Sequence, residues 1–459
     1  MGRTDRVQHL AFAAAVKAPT EPDILIGAYM QATSAGWESE REAGRWLQRA
    51  AELSGEHGPI QQMTMKELFD RKPEWDRRST SVWDLLNEGK VPMFGAAHLL
   101  HRSLIDLTLL QALANLSEND PRRRGIVYAF SGARPGAISL PQITTVALDL
   151  TAIFNLALLD LLPVAIGAYA RVAIPHSTLG WLFQERQRAT FHQPSRIKEA
   201  HHLKRLVADG SLKVPPSQPL SDLALAKEVG IELAGLLSAA ANPKASEGGA
   251  RYVIRSAPVH RAGSLMEEEA DLSAHSEYLC SCQTVVEKLR AKGVLTLDEE
   301  QRALAYLKLH ERRWPSEPKI ADGAELYLDN LTTTYLQTIG LLAKLKPAGL
   351  DAYITEDVNK DTNRLITYEN LSDQQLGLIE LIRKTVSDGL ASGRIRAVKS
   401  PPIGDENYWD HIRPLACLVS KRGLTRWSSM IVSSISTCSW RPITAGHRSS
   451  PLSICWMIS

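Results

Sequence analysis

The chain has 459 residues, a mass of 50.6 kDa and a mean hydropathy of −0.16, with 44% hydrophobic and 23% charged residues. That leaves room for two or three cored domains and excludes a disordered or collagen-like chain. The net charge is +2, yet no acid follows Asp410; six of the 53 Lys and Arg do, which leaves 47 against 51 acids in residues 1–410 and excludes a broad electrostatic footprint for duplex nucleic acid.

The N-terminal run MGRTDRVQHLAFAAAVKAPTEPD is short and carries Asp5 ahead of its apolar part, so no signal peptide is expected. Residues 1–137 read as a helical region. EPDILIGAYMQATSAGWESEREAGRWLQRAAEL gives two amphipathic helices broken near Gly36, and SVWDLLNEGKVPMFGAAHLLHRSLIDLTLLQALANLSE gives a second helical block. Arg122, Arg123 and Arg124 read as a solvated turn, and SGARPG lacks the spacing of a phosphate-cradling loop. His98 with His101, and His201 with His202, do not form a zinc-hydrolase pattern.

From residue 145 the pattern becomes β-α-β-α: strand TVALD, helix LTAIFNLALLDLL, strand ARVAIP, helix STLGWLFQERQRATF. Asp149, Asp160 and Pro163 interrupt this apolar stretch, which argues against a membrane span. Helices are expected at 197–209 and 222–240, an exposed loop at 242–250 and a strand in YVIRSAPV. Ser264 followed by Glu267 predicts a capping box and a helix from residue 264. Cys280 and Cys282 fall in a helix-like stretch with their thiols on different faces; with Cys417, Cys438 and Cys455 scattered, neither a four-ligand zinc site nor a disulfide scaffold is expected, and a reduced cytoplasmic setting is. LDEEQRALAYLKLHERRW is a further helix.

The segment GAELYLDNLTTTYLQTIGLLAKLKPAGLDAYI then repeats the earlier layout at an offset of 180 residues. Asp149 lies 25 residues before Ile174, and Asp329 lies 25 before Ile354; Leu148, Leu161 and Leu162 match Leu328, Leu341 and Leu342. An Asp just past a strand of an open α/β sheet stands where such sheets bind ligands, and it also suits a helix N-cap.

The last 40 residues break the pattern, with eleven Ser, three Trp and no acid. Reading each codon one base early forces Asp at three places: Met430–Ile431, Trp456–Met457 and Met457–Ile458. Permitted codons elsewhere turn TRWSSMIVSSIST into a strand ending in VVDD. The expectation is a tail shifted out of frame from a point between Val419 and Thr425, the alternative being a genuine basic tail.

LYLD ending at Asp329, the helix LTTTYLQTIGLLAKL, the strand DAYIT and the out-of-frame VVDD together resemble a PIN-like nuclease domain, and VALD with RVAIP resembles it more loosely. The layout also resembles large bacterial proteins that carry PIN-like domains beside helical repeats. The resemblance implies two three-layer α/β/α lobes, the second incomplete: a helical region 1–137, a first lobe 138–250, a helical segment 251–320, a second lobe 321–419 and an out-of-frame, disordered tail 420–459. It implies a divalent-metal-dependent endoribonuclease in the intact form, with single-stranded RNA as substrate, Mg²⁺ or Mn²⁺ as cofactor and a protein partner at the helical region. Asp329 and Asp149 become the catalytic candidates. The metal-ligand candidates are Asp329, Asp361 and Glu369 in one lobe and Asp149, Glu185 and Asp222 in the other. Converging carboxylates repel one another unless hard cations neutralise them. With Met430 and Ile431 where the late acids belong, this chain itself is expected to be inactive, the alternative being a noncatalytic interaction or regulatory scaffold.

Overall fold

A computed structural model describes residues 4–37, 41–55, 58–61, 63–128, 145–189, 193–215, 222–241 and 249–398. The chain divides into two compact units, one formed by residues up to Gln193 and from Tyr368, the other by Pro194–Thr367.

The first unit opens with α1 (Thr4–Lys17), α2 (Pro22–Ser34) and α3 (Arg41–Leu53), which share a small core around Ala11, Leu25, Ile26 and Ala50. The expected break at Gly36 is present. Next come α4 (Met65–Asn87), opened by a capping box between Thr64 and Glu67, α5 (Met93–Leu99), a π-helical turn at Asp106–Leu110 and α6 (Gln111–Ser117). They lead to β1 (Thr145–Ala147), α7 (Leu150–Leu158), α8 (Leu162–Ala168), β2 (Arg171–Pro175) and α9 (Thr178–Ala189).

The second unit holds α10 (Pro194–Ala208), β3 (Leu212–Lys213), α11 (Leu223–Val229), α12 (Ile231–Ala240), β4 (Arg251–Ile254), β5 (Leu279–Cys280), α13 (Cys282–Ala291) and α14 (Leu297–His310). It continues with β6 (Glu325–Leu328), α15 (Asn330–Thr338), α16 (Leu342–Leu345) and β7 (Asp351–Ile354). Gly230, at φ +89°, makes the corner that separates α11 from α12, a conformation that favours glycine. The 36-residue α17 (Glu356–Ala391) starts in the second unit and ends in the first, where β8 (Ile395–Val398) follows.

Two parallel sheets result. The first has the order β1-β2-β8, the second β3-β7-β6-β4-β5. The helices α4 to α7 and the end of α17 share one core with the first sheet, built around Leu86, Leu104, Ile105, Phe154, Ile174 and Ile382. In the second sheet β4 and β6 are almost wholly buried, as expected for parallel strands covered on both faces. Within the first sheet's core Gly389 of α17 lies against Ile395: a Cβ at that position would stand 2.4 Å from Ile395 Cδ1.

The repeat at 180 residues is present as β1 against β6 and β2 against β7. β3 follows β2 in the chain and pairs with β7; β8 follows β7 in the chain and pairs with β2. Each sheet thus takes a strand from the other repeat, and β4 and β5 also join the second sheet. Among the described residues the first sheet has three strands and the second five. Alternation and apolarity state that a strand is buried and do not state its partner.

Ser264 does not open a helix. Residues 261–271 form turns, with Leu265 and Met266 at φ +54° and +71°, and Ser264 Oγ donates to Arg261 O at 2.8 Å. Local side-chain hydrogen bonding competes with the helix there. Cys280 ends a strand, and Cys282 begins α13 after the N-cap Ser281, so the pair is not helical throughout. The out-of-frame reading, SGARPG and most of the 242–250 loop lie outside the described residues.

Among the described residues no single helix is long and apolar enough to cross a membrane; α7 and α8 reach that length and apolarity only as a pair, bent by 115°.

Candidate functional site

Leu148 is buried at the end of β1, and the next residue turns the chain into α7. Asp149 is the N-cap, at φ −82° and ψ 177°, and its Oδ1 accepts from the Ala152 amide at 2.8 Å. Burial pushes its carboxyl up to about 6, against the pull of the backbone amides. Register pairs Ala147 with Ala173, which brings Asp149 level with Pro175; Pro175 in turn pairs with Val398. Apolar residues therefore flank this acid across the sheet, and no cationic side chain is ion-paired with it among the described residues.

Asp329 stands in the same position on the second sheet. It N-caps α15 at φ −80° and ψ 178°, with Oδ1 accepting from the Thr332 amide at 2.8 Å. Here the register differs in consequence. Leu328 pairs with Ile254 on one side and Ile354 on the other, so Arg255, Asp329 and Thr355 stand side by side past three strand ends. Arg255 Nη1 donates to Asp329 Oδ2. Asp329 is 3% exposed, so the carboxylate is sealed against its guanidinium partner.

Glu232 of α12 completes the cluster. Its Oε1 accepts from Thr355 Oγ1 at 2.9 Å, and the Asn330 amide also bonds it. Burial raises its pKa, and the nearby charges of Asp329 and Asp357 add to the rise. Cys282 lies close enough to feel Asp329; burial first, then Glu311, pushes its thiol far up, and burial pushes Cys280 to about 12. Both surroundings disfavour the thiolate, so neither thiol is activated as a nucleophile by its neighbours.

The remaining candidates are distributed. Glu185 lies buried on α9, accepting from Ser103 Oγ at 2.5 Å and from Arg188 Nη1 at 2.9 Å. Burial raises its pKa and that of neighbouring Asp106. Asp222 belongs to the second unit, where it N-caps α11 by accepting from the Leu225 amide at 2.9 Å. Asp361 is exposed on α17 and accepts from Arg364 at 2.8 Å, while Glu369 falls in the first unit. The expected sets Asp329, Asp361, Glu369 and Asp149, Glu185, Asp222 are each divided between the two units.

Arg255, Glu232 and Thr355 were not legible as a site. Arg255 and Thr355 carried one usable signal, a place immediately after a buried parallel strand; Glu232 carried none, because α12 is far from Asp329 in sequence.

These donors do not fit Mg²⁺ or Mn²⁺. Both oxygens of Asp329 are engaged, one by an amide and one by a guanidinium. Among the described residues no three His, Cys, Asp or Glu side chains are arranged to hold a metal ion.

A family model described as HTH upstream of double PIN matches residues 65–134, the stretch that includes α4, α5 and α6. Neither the curated proteins nor the solved structures include a match to the chain.

Proposed function

We propose that this chain is a PIN-like double-sheet protein, of the kind whose intact form is a divalent-metal-dependent endoribonuclease acting on single-stranded RNA, and that the chain as it stands does not cleave. The observation that supports the scaffold is the duplicated N-cap. Asp149 and Asp329, 180 residues apart, end equivalent parallel strands with the same backbone angles and the same bond to the amide three residues on. A helical segment of the type found ahead of paired PIN domains immediately precedes the first of them. In this reading Asp149 and Asp329 are the ancestral catalytic positions, and Glu185, Asp222, Asp361 and Glu369 are at most secondary ligands.

The Arg255–Asp329 pair favours the noncatalytic scaffold as the present role, because a guanidinium occupies the electrostatic place that the chemistry assigns to a metal ion. Cleavage of a labelled single-stranded RNA by the purified chain with Mg²⁺ or Mn²⁺ tests it. The expected result is no more cleavage than by Asp149→Asn or Asp329→Asn. Robust cleavage abolished by either substitution overturns the noncatalytic half. A variant with its tail restored to the shifted frame and Arg255→Met in place is expected to cleave, and its silence overturns the nuclease ancestry.

A further inference from the structure

We infer that Arg255 is a built-in cation that holds the acidic end of the second sheet closed to divalent metal. Parallel register puts it there. Ile254 and Leu328 are paired, so the residues that follow them meet side by side. Arg255 then donates to Asp329 Oδ2, the one carboxylate oxygen not taken by the Thr332 amide.

Glu232 feels the charges of Asp329 and Asp357 at this end of the sheet; Asp357 is exposed and pairs with Lys360, so Asp329 and Glu232 are the two carboxylates withdrawn from solvent. Two like charges in a poorly solvated place are stabilised by a compensating cation. Arg255 supplies one that is covalently tethered, permanently charged and needs no free ion. Arg255 Nε is buried without a hydrogen-bond partner, while the groups beside the carboxylates are engaged locally. Thr355 Oγ1 and the Asn330 amide serve Glu232, and Thr332 Oγ1 is tied to Ile254 O at 2.7 Å. Trp314 Nε1 donates to Arg255 O, fixing the backbone that carries the guanidinium. An incoming cation must therefore displace Arg255 before it reaches Asp329. The first sheet shows the same capping acid without such a partner among the described residues. Strand-end geometry carries this point, and RNA cleavage or its absence leaves it standing.

Titration of the full chain with Mn²⁺, read by electron paramagnetic resonance of the free ion, tests the lock. Asp329→Asn is expected to leave the number of bound ions unchanged. Arg255→Met is expected to bind one more Mn²⁺ per chain, with Kd on the order of 1 mM or tighter. Adding Asp329→Asn to Arg255→Met removes that ion, and Arg255→Lys, which keeps the charge, does not gain it. An Mn²⁺ site in the unsubstituted chain that Asp329→Asn abolishes overturns the inference. So does a folded Arg255→Met that gains no ion. Where Arg255→Met melts too early for titration, thermal unfolding decides: Mn²⁺ is expected to raise its Tm more than that of Arg255→Met/Asp329→Asn, and equal shifts overturn the lock.

Discussion

Arg255 and Asp329 stand one residue beyond the paired ends of adjacent parallel strands, and the guanidinium of the first donates to the carboxylate of the second. Asp149, in the equivalent place on the first sheet, is level with Pro175 instead. Two capping acids with the same local geometry thus have opposite electrostatic surroundings, and most of the chain's testable behaviour follows from that difference.

Breaking the ion pair from one side leaves a buried carboxylate uncompensated. Arg255→Met is expected to destabilise the chain by about 3 kcal/mol in urea unfolding, and neutralising the acid as well, in Arg255→Met/Asp329→Asn, recovers part of the loss. A double variant less stable than the single one contradicts this account.

Asp149 makes stability depend on pH. Its folded pKa, about 6, lies above the ordinary 3.8, so the folded chain holds this proton where the unfolded chain has released it. The contribution is full below about pH 4 and is lost as the pH rises to about 6. Asp149→Asn keeps an equally good N-cap without titrating. It is expected to gain on the unsubstituted chain, by up to about 3 kcal/mol, as the pH is raised across that window. A stability difference that stays flat from pH 4 to 7 removes the buried-acid explanation.

Ser103 supports the buried Glu185 carboxyl with a hydrogen bond of 2.5 Å. Ser103→Ala is expected to cost about 1–3 kcal/mol, since the acid then keeps Arg188 alone of its two side-chain partners. Thermal unfolding measures this, and an unchanged Tm rules out a structural role for the bond.

Gly389 has no room for a side chain beneath Ile395. Although alanine favours helices over glycine, Gly389→Val is expected to lose about 1–3 kcal/mol through overpacking. Recovery on combining it with Ile395→Ala identifies the contact; without recovery, the strain lies elsewhere.

The interleaved strands predict that residues 138–250 do not fold alone. That segment carries β1 and β2, while their partner β8 lies at 395–398 and β3 pairs with β7. Dispersed amide NMR signals from the isolated segment contradict the exchange of strands.

Much of the local structure was legible in the residues. The capping acids, the apolar strands before them and the 180-residue spacing all depend on contacts within a few positions, where sequence pattern and backbone preference act together. The false helix start at Ser264 shows the limit even there, because the motif's hydroxyl found a turn carbonyl instead. Strand partners were not legible. β3, of two residues, and β8, of four, are short and half-exposed, so their composition does not name a sheet; β3 follows α10 and β8 follows α17. The candidate site divides the same way: its two aspartates are local features, whereas Arg255, Glu232 and Thr355 reach Asp329 through parallel register and helix packing. Hydrophobic periodicity determined what is buried; only the tertiary fold decided which charges are buried together, because burial patterns carry no information about the identity of a neighbour distant in the chain.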